Sequence, residues 1–548
     1  MEFNYKFSKS SQIDNTNSQT NMAFAPDLER DPTFFVGKLN KKNPFREAIS
    51  ALHDVVVSDL RYKPKDRTAY KEWVVGQEKL WLSDFMAEYQ IEEIRKNIQQ
   101  VKHRLSEIYK DRDRLLGPFN KAKQQYFDYL YRNDKDAWFV LDPVITVHPD
   151  EVFFECFSQD ESSYGKLSAN YNVFDDIEDF KCGTTNIDYS ENLYHEFQKI
   201  RDYKETIFKI DPSGFEAQTT NENVFKEMKI DLPDSWVRGF LQVSAAMTLP
   251  TTSFYLHPMD IHGICQYLRR FRETKGPRAM RFVLEPGQPI QVVFEPWFET
   301  ITFHRSVYQG DTSKTIRIWG RRRLHILERL IPIAKRFKVS LMGNGLPSFF
   351  MADLGDMTFT LGLSGWTNND WSKAGNFDLM APRGHVSANI RNTVFESLKQ
   401  NWFATTTDLA KHLQLESATV AAALTAYTQA GRVMYDMNLG VYRLRELTQE
   451  PLNFEHFRFA SEQEQKANHI IENESIKVSK NIKNNELELQ GVIKIKNYTY
   501  KVNAVIDKDQ RLISGECQCH FYMNNGLKKG PCEHLIAVRM AAQQPLTF

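Results

Sequence analysis

Four residues in the C-terminal part of the chain have the types and the spacing of a metal site. Cys517 and Cys519 are separated by one residue, and Cys532 and His534 repeat that spacing after an interval of twelve residues. The second pair stands at the start of an apolar helical stretch that follows Pro531, a residue suited to a helix start. Three thiolates and one imidazole make a closed tetrahedral set of the kind that structural zinc prefers. The sequence therefore predicts one structural zinc ion.

The same residues have a plainer interpretation, as buried thiols beside a chance histidine, with two of the thiols oxidised as a pair. His520 is a competitor for His534 as the imidazole ligand, although on a strand it would point to the face opposite Cys519. Four protein ligands leave no open coordination position, so a catalytic metal is disfavoured.

The elements around these residues must present them together. Apolar and polar residues alternate with the strand period over 487–506 and 512–517, with a turn at 507–510 between them. Residues i and i+2 of a strand share a face, so Cys517 and Cys519 are expected to point the same way. An excursion over 520–530 then returns the chain to the helix at 535–542. Residues 486–548 are predicted to form the zinc domain.

The region before it, residues 386–446, has the outline of a winged helix. Helices are predicted at 386–400, from Thr406 or Thr407 to Leu413 behind a hydroxyl cap, and at 417–430 before Gly431. Two strands, 432–435 and 441–444, then flank a glycine turn. The polar tract 447–485 is predicted to be a linker with a helix near 461–471.

The first 380 residues are expected to contain three further regions. Residues 1–30 are polar and predict a loose arm. Residues 31–137 predict a helical hairpin, either packed on the body or serving as a dimerisation arm, because apolar residues at steps of three and four form a narrow seam from Ile91 to Ile108 before a break at Gly117-Pro118. Residues 138–380 predict a mixed α/β domain with short strands and, over 324–337, a helix kinked at Pro332. The whole is a multidomain α+β protein.

Composition narrows the functional classes. The 548 residues include 70 basic and 70 acidic ones, and this neutral balance argues against a bulk polyelectrolyte binder. The N-terminus lacks the apolar core of a secretory signal, and no stretch reaches the roughly 18 apolar residues of a membrane span. The remaining cysteines, Cys156, Cys182 and Cys265, are scattered in apolar or mixed runs and are predicted to be buried free thiols. A cytoplasmic location is expected.

The metal motif resembles that of SWIM zinc fingers: Cys517-x-Cys519, then Cys532-x-His534-Leu535 after a β-hairpin. That resemblance implies a ββα finger that binds DNA or protein and has no catalysis of its own. The stretches 317–324, 345–349, 362–366 and 530–534 resemble a bacterial SWIM family. This wider resemblance implies an accessory or adaptor subunit that acts with a MoxR-type AAA+ ATPase and a von Willebrand A-domain protein.

Nucleic acid is the competing partner. Basic residues are concentrated at 269–281 and 317–338, and those predicted to contact phosphate or a partner, with a tryptophan for stacking, are Arg269, Arg270, Arg317, Trp319, Arg321, Arg322 and Arg323. The alternative is a solvated helix face or a surface for an acidic partner. The predicted recognition helix, 417–429, contains no Arg, Lys or Asn, which favours domain or protein contacts over base readout.

Three functional hypotheses follow. The first, which we favour, is a non-enzymatic zinc-binding adaptor for protein or nucleic-acid contacts. The second is a DNA-binding regulator that uses the winged helix and the finger together. The third is an enzyme of unrecognised class, which would require a pocket that gathers Asp353, Asp356, Ser364 and Asp370. No enzyme signature supports the third, since the GxG at 343–345 lacks the Lys-Ser/Thr of a phosphate-binding loop.

Overall fold

The structure is a computed structural model that describes residues 33–58, 143–447 and 462–543, apart from short internal gaps and a longer one at 211–233, together with residues 102–104 and the backbone of 12–15 and 19–24. The chain divides into two compact units, one formed by 1–58 and 141–548 and the other by 59–140. The predicted helical seam and its returning helix lie in the second unit and, apart from 102–104, outside the described residues. The following paragraphs concern the first unit.

Strands run as follows: β1 Gln12–Asn15, β2 Gln19–Phe24, β3 Phe35–Leu39, β4 Val144–Val147, β5 Glu151–Phe157, β6 Ser163–Asn170, β7 Phe174–Asp175, β8 Gly183–Asn186, β9 Glu205–Ile210, β10 Thr252–Leu256, β11 Met280–Leu284, β12 Pro289–Phe294, β13 Glu299–Val307, β14 Lys314–Ile318, β15 Arg336–Leu341, β16 Ser348–Asp353, β17 Met357–Leu363, β18 Phe403–Ala404, β19 Val433–Asp436, β20 Val441–Leu444, β21 Ser475–Lys483, β22 Glu486–Ile495, β23 Tyr498–Ile506 and β24 Leu512–Cys517.

Helices run as follows: α1 Lys42–Val56, α2 Asp234–Met247, α3 Pro258–Arg270, α4 Ala388–Asn401, α5 Thr406–Leu413, α6 Ser417–Gln429, α7 Glu462–Asn473, α8 His520–Asn525 and α9 Glu533–Gln543, with 3₁₀ segments at Tyr171–Val173, Arg321–Leu330 and Phe377–Leu379. No helix of the described ranges is long and apolar enough to cross a membrane. The protein is multidomain α+β.

The centre of the molecule is an eight-stranded sheet in the order β10-β15-β16-β17-β6-β5-β4-β8. All of its strand pairs are antiparallel, and several are joined by tight turns, as hairpin connections allow. The central sheet is therefore antiparallel, and the middle region is α+β in character. Strand β5 is buried along its whole length, including its two glutamates, of which Glu155 is paired with Arg445.

The prediction of a helix over 324–337, kinked at Pro332, is wrong. The chain there forms the 3₁₀ segment Arg321–Leu330, and β15 has begun by Arg336. Leu324, Leu327 and Leu330 are all buried. Their spacing of three residues matches the three-residue turn of a 3₁₀ helix, so the apolar pattern was real and its period was misassigned.

Residues 388–444 contain three helices and a small sheet in the order β18-β20-β19, close to the predicted positions. The hydroxyl of Thr405 accepts a hydrogen bond from the Asp408 amide at 3.0 Å and caps α5, as its sequence suggested. This region has its own apolar core around Val394, Phe395 and Leu424, separate from the core of the central sheet.

A buried ionic network joins the β19–β20 hairpin to the central sheet. Lys166 of β6 donates to the Asp436 carboxylate at 2.9 Å, and Arg443 donates to Asp150 at 2.8 Å. Arg445 contacts both oxygens of Glu155, at 3.0 and 3.1 Å. Because these charges are removed from water, the loss of one partner would leave a costly uncompensated charge, and the network fixes the hairpin in one position.

The C-terminal sheet has the order β21-β22-β23-β24 and packs against α9. Its first strand begins at Ser475, inside the tract predicted to be a linker. Apolar residues of this sheet, such as Leu489 and Val502, belong to the same continuous core as the central sheet. At the other end of the chain, β2 pairs in parallel with β9, so part of the predicted loose arm is a strand.

Candidate metal centre

The four predicted ligands come together in the structure. Cys517 ends β24, Cys519 immediately precedes α8, Cys532 immediately precedes α9, and His534 lies in the first turn of α9. All four are buried, and their ligand atoms lie within 4.8 Å of one another. Ligands of a tetrahedral zinc ion with Zn–S bonds of about 2.3 Å are roughly 3.8 Å apart, which is compatible with that limit.

Cys519 reaches the cluster by a different route from the predicted one. It is not part of β24 but is the N-cap of α8, where its Sγ accepts a hydrogen bond from the Tyr522 amide at 3.4 Å. Its own amide points to Cys517 Sγ, also at 3.4 Å. These backbone donors face the sulfur atoms and favour their thiolate forms, which are the forms that bind metal.

The ring nitrogens of His534 lack hydrogen-bond partners. The His534 ring packs on Tyr500 with ring centroids 4.3 Å apart, and both of its nitrogens are buried without a hydrogen bond, although Nδ1 lies 3.5 Å from the Glu533 carboxylate. A buried polar atom left unsatisfied costs about 1–3 kcal/mol, and coordination to a metal would satisfy one of the two nitrogens. His520 is exposed, and its ring nitrogen contacts Asn524 Nδ2 at 3.0 Å, so it lies outside the cluster.

The thiols are electrostatically coupled. A hydrogen bond from the Cys532 thiol, with a further contribution from His534, lowers the pKa of Cys517 to about 4. The same interaction and burial raise the pKa of Cys532. Three sulfurs and one imidazole are soft and borderline donors, so the tetrad could hold a metal ion such as zinc.

Helix α9, which carries His534, is set closely against the sheet and the body. A Cβ atom at Gly491 of β22 would come within 2.2 Å of a Val538 methyl, so this strand position requires glycine for the helix to approach. Arg539 donates to the backbone oxygens of Leu379 and Ala381, at 2.7 and 2.8 Å. Helix α9 is therefore fixed on both sides.

The loop between the two ligand pairs also lies on the body. Lys528 Nζ stands 3.8 Å from the centre of the Trp366 ring, and the Lys528 backbone oxygen accepts a hydrogen bond from Asn369 Nδ2 at 2.7 Å. Gly530, at φ +90°, approaches so closely that a Cβ would lie 2.6 Å from the Asn376 backbone oxygen. We call residues 520–530 the docking loop. Sequence analysis missed these contacts, since they join residues far apart in the chain.

The basic residues proposed to bind phosphate or a partner occupy varied environments. Arg269 and Arg270 are exposed, and Arg269 pairs with Glu328. Arg322 is half-buried, and Arg323 donates to the Asp160 carboxylate at 2.9 Å. Arg321 is buried and donates to the Ala279 backbone oxygen.

The predicted arginine–tryptophan pair is part of a longer stack. The Arg317 guanidinium lies 4.7 Å from the centre of the Trp319 ring and pairs with the buried Glu295. Trp319 stacks on Trp366, with ring centroids 5.6 Å apart and planes 7° from parallel. Lys528 of the docking loop covers the Trp366 ring, so these aromatic faces serve an intramolecular contact.

The residues required by the enzyme hypothesis are dispersed. Asp353 and Asp356 line a polar cavity of about 390 Å³ between the central sheet and the tip of the β19–β20 hairpin. Ser364 and Asp370 do not line it. The Ser364 side chain is buried, and its hydroxyl donates to the Asn369 backbone oxygen at 2.6 Å.

Comparisons with known proteins give no family. No protein-family model matches the chain, and no curated protein matches it in sequence. Among solved structures, the proliferating cellular nuclear antigen of Entamoeba histolytica is similar over 41% of this chain and 89% of that chain, with 10% sequence identity and a TM-score of 0.29. A likeness at that TM-score carries no argument about fold or function.

Proposed function

We propose that this chain is a zinc-binding, non-enzymatic adaptor in which one zinc ion fixes the C-terminal domain to the body. The observation that carries the proposal is the closed, buried set of Cys517, Cys519, Cys532 and His534. Four protein donors leave no position for a substrate, as in structural zinc sites. The docking loop lies between the two ligand pairs, and α9 carries His534 and continues beyond it. Both contact the body.

Burial of α6 favours the adaptor over the DNA-binding regulator. We propose that residues 386–446 form a winged helix, in which α6 would be the recognition helix. Such a helix reads DNA with an exposed face in the major groove. Here residues 420–425, 427 and 428 are all buried, and α2 packs against the helix. Thr425 and Thr428 donate to backbone oxygens of the helix itself, at 2.9 and 3.0 Å.

The motif resemblance supplies the nature of the partner. We propose that the C-terminal domain is a SWIM-type finger and that the chain acts as a cytoplasmic accessory subunit of a MoxR-type AAA+ ATPase and its von Willebrand A-domain protein. The neutral composition supports a protein partner over nucleic acid. The exposed Arg269 and Arg270 remain candidates for such a contact.

The test is affinity purification of the tagged, intact chain from its native cell, followed by identification of bound proteins. An AAA+ ATPase recovered in stoichiometric amount is the expected result. In parallel, binding to a random DNA duplex is titrated with salt. A different result would favour the DNA-binding regulator over the adaptor: neither the AAA+ ATPase nor the von Willebrand A-domain protein is recovered, and the chain binds the duplex tightly with a salt dependence that reports several phosphate contacts.

A further inference from the structure

A second group of metal-binding side chains lies outside the finger. Cys265 of α3 faces His325 and Glu328 of the 3₁₀ segment 321–330, and their ligand atoms lie within 4.8 Å of one another. Helix α3 and this segment pack directly together. The three residues are distant in sequence from Cys517–His534 and belong to different elements.

The local fold explains why the two residues of the 3₁₀ segment point the same way. In a 3₁₀ helix the side chains at i and i+3 are aligned, and His325 and Glu328 have that spacing. His325 Nδ1 and Glu328 Oε1 are 3.4 Å apart and form a hydrogen bond with each other in the absence of a metal. The leucines at 324 and 327 are buried, so the segment is held by the core while His325 and Glu328 stay partly exposed, at 29% and 20%.

Cys265 supplies the third donor from the buried side. Its Sγ donates a hydrogen bond to the Leu324 backbone oxygen at 3.5 Å, a weak thiol bond that a sulfur–metal bond would replace. Burial raises the pKa of the Cys265 thiol, and the nearby Glu328 carboxylate adds to this effect. The thiol is therefore protonated without a metal. When a sulfur–metal bond forms, the S–H proton passes to solvent and no group is oxidised or reduced.

The competing interpretation is an ordinary ion pair. Arg269 Nη2 binds Glu328 Oε2, which neutralises the carboxylate without a metal. This pair uses Oε2, however, while Oε1 is the oxygen that lies 3.4 Å from His325 Nδ1. One carboxylate can thus hold Arg269 with one oxygen and a cation with the other.

We propose that Cys265, His325 and Glu328 bind one divalent metal ion with the ligand preferences of zinc. A sulfur, an imidazole nitrogen and a carboxylate oxygen suit Zn²⁺ or Co²⁺ and are poor ligands for Mg²⁺ or Ca²⁺. Three protein donors leave a fourth position for water or an external ligand, unlike the closed finger. This site goes beyond the proposed function and does not depend on it.

The test uses Co²⁺ as the probe with the intact, reduced protein. Equilibrium dialysis counts the Co²⁺ bound in addition to the metal that the protein retains from purification, and near-ultraviolet absorption reports thiolate-to-cobalt bonds. We expect one additional equivalent with a thiolate band. Cys265→Ser should abolish that band, and His325→Ala and Glu328→Gln should each weaken Co²⁺ binding by at least about tenfold.

Matched variants separate this site from the finger and from general damage. Cys182→Ser removes a half-buried thiol elsewhere and should leave the additional equivalent unchanged. His534→Gln should reduce the metal retained from purification and spare the additional equivalent, so the two sites fail independently. His325 is partly exposed, so its replacement tests the site even if Cys265→Ser does not fold. Absence of additional Co²⁺, or uptake that His325→Ala and Cys265→Ser leave unchanged, overturns the proposal.

Discussion

The ammonium group of Lys528 lies 3.8 Å from the centre of the Trp366 ring, which joins the docking loop to the body of the protein. A cation–π contact of this kind is worth about 1 kcal/mol. We expect Lys528→Gln to leave the metal bound but to loosen residues 520–530. Limited proteolysis should cut the variant faster within this loop.

The neighbouring Lys529→Gln is the control for that experiment, because it changes the same charge one residue away and Lys529 has no ring contact among those described. Equal cleavage of the two variants would contradict a specific role for the Lys528–Trp366 contact.

Metal removal should affect more than the C-terminal domain. Structural zinc contributes an apparent binding free energy on the order of 10–16 kcal/mol, which in small domains is folding free energy. We expect Cys532→Ala to increase amide hydrogen exchange in 487–543 and also at residues 379–381, whose backbone oxygens accept hydrogen bonds from Arg539 and from the Leu512 amide. Cys182→Ala is the control, and faster exchange confined to residues after 487 would show that the finger is an independent unit.

The position of α9 depends on Gly491. Because a Cβ there would lie 2.2 Å from a Val538 methyl, we expect Gly491→Ala to displace α9 and to destabilise the protein by about 1–3 kcal/mol in urea unfolding. Displacement of α9 moves His534, so metal affinity should fall as well.

Gly263→Ala provides the matched comparison. Its added Cβ meets only Phe303, at an ordinary 4.0 Å, and the residue lies within α3, where alanine is favoured over glycine. This variant should be neutral or slightly stabilising. A similar loss of stability in both variants would mean that the close approach of Val538 is unimportant.

Stability should fall in mild acid because of His148. Burial, followed by the charge of Arg443, lowers the pKa of His148 to about 3 from an ordinary value of 6.5. Between these two values the unfolded chain binds one more proton at this site than the folded protein does, so the free energy of unfolding decreases as the pH falls from about 6.5 toward 3. Above pH 6.5 both states carry a neutral ring, and the full stability is present.

The neutral ring is consistent with the contacts of His148, since its Nε2 donates to the Leu444 backbone oxygen at 2.5 Å and its Nδ1 faces Arg443. We expect His148→Gln to have a lower stability at pH 7 and a weaker loss between pH 7 and pH 4.5 than the unchanged protein. Urea unfolding at the two pH values measures both quantities, and identical pH dependence would exclude His148 as the cause.

The ligand set could be predicted from sequence because it depends on local spacing. Cys517 and Cys519, and Cys532 and His534, are near neighbours in the chain, and the turn residues between them limit where the chain can go. The same holds for the helices of 388–444, whose N-caps at Ser387 and Thr405 and glycine stop at Gly431 are local signals. Even here, the position of Cys519 as the N-cap of α8 was not apparent from the sequence. The sequence alone does not show whether the chain continues as a strand or starts a helix after Cys517.

Long-range relationships could not be read in this way. Nothing adjacent to Arg539 in the sequence indicates that it meets Leu379 and Ala381, and Cys265 gives no sign that it faces His325. The strand order of the eight-stranded sheet is a similar case, since β17 pairs with β6 although the two strands are far apart in the sequence. The sequences of such short apolar strands do not indicate which strands they pair with. The pairing is seen only in the folded structure.

The bonds from Arg539 to Leu379 and Ala381 have a consequence for biosynthesis. On the ribosome, the segment 379–381 emerges about 160 residues before the side chain that satisfies its backbone oxygens. Until residue 539 has left the exit tunnel, that part of the body has open hydrogen-bond acceptors and an uncovered apolar surface. A nascent chain stalled within this interval should therefore be a target for chaperones.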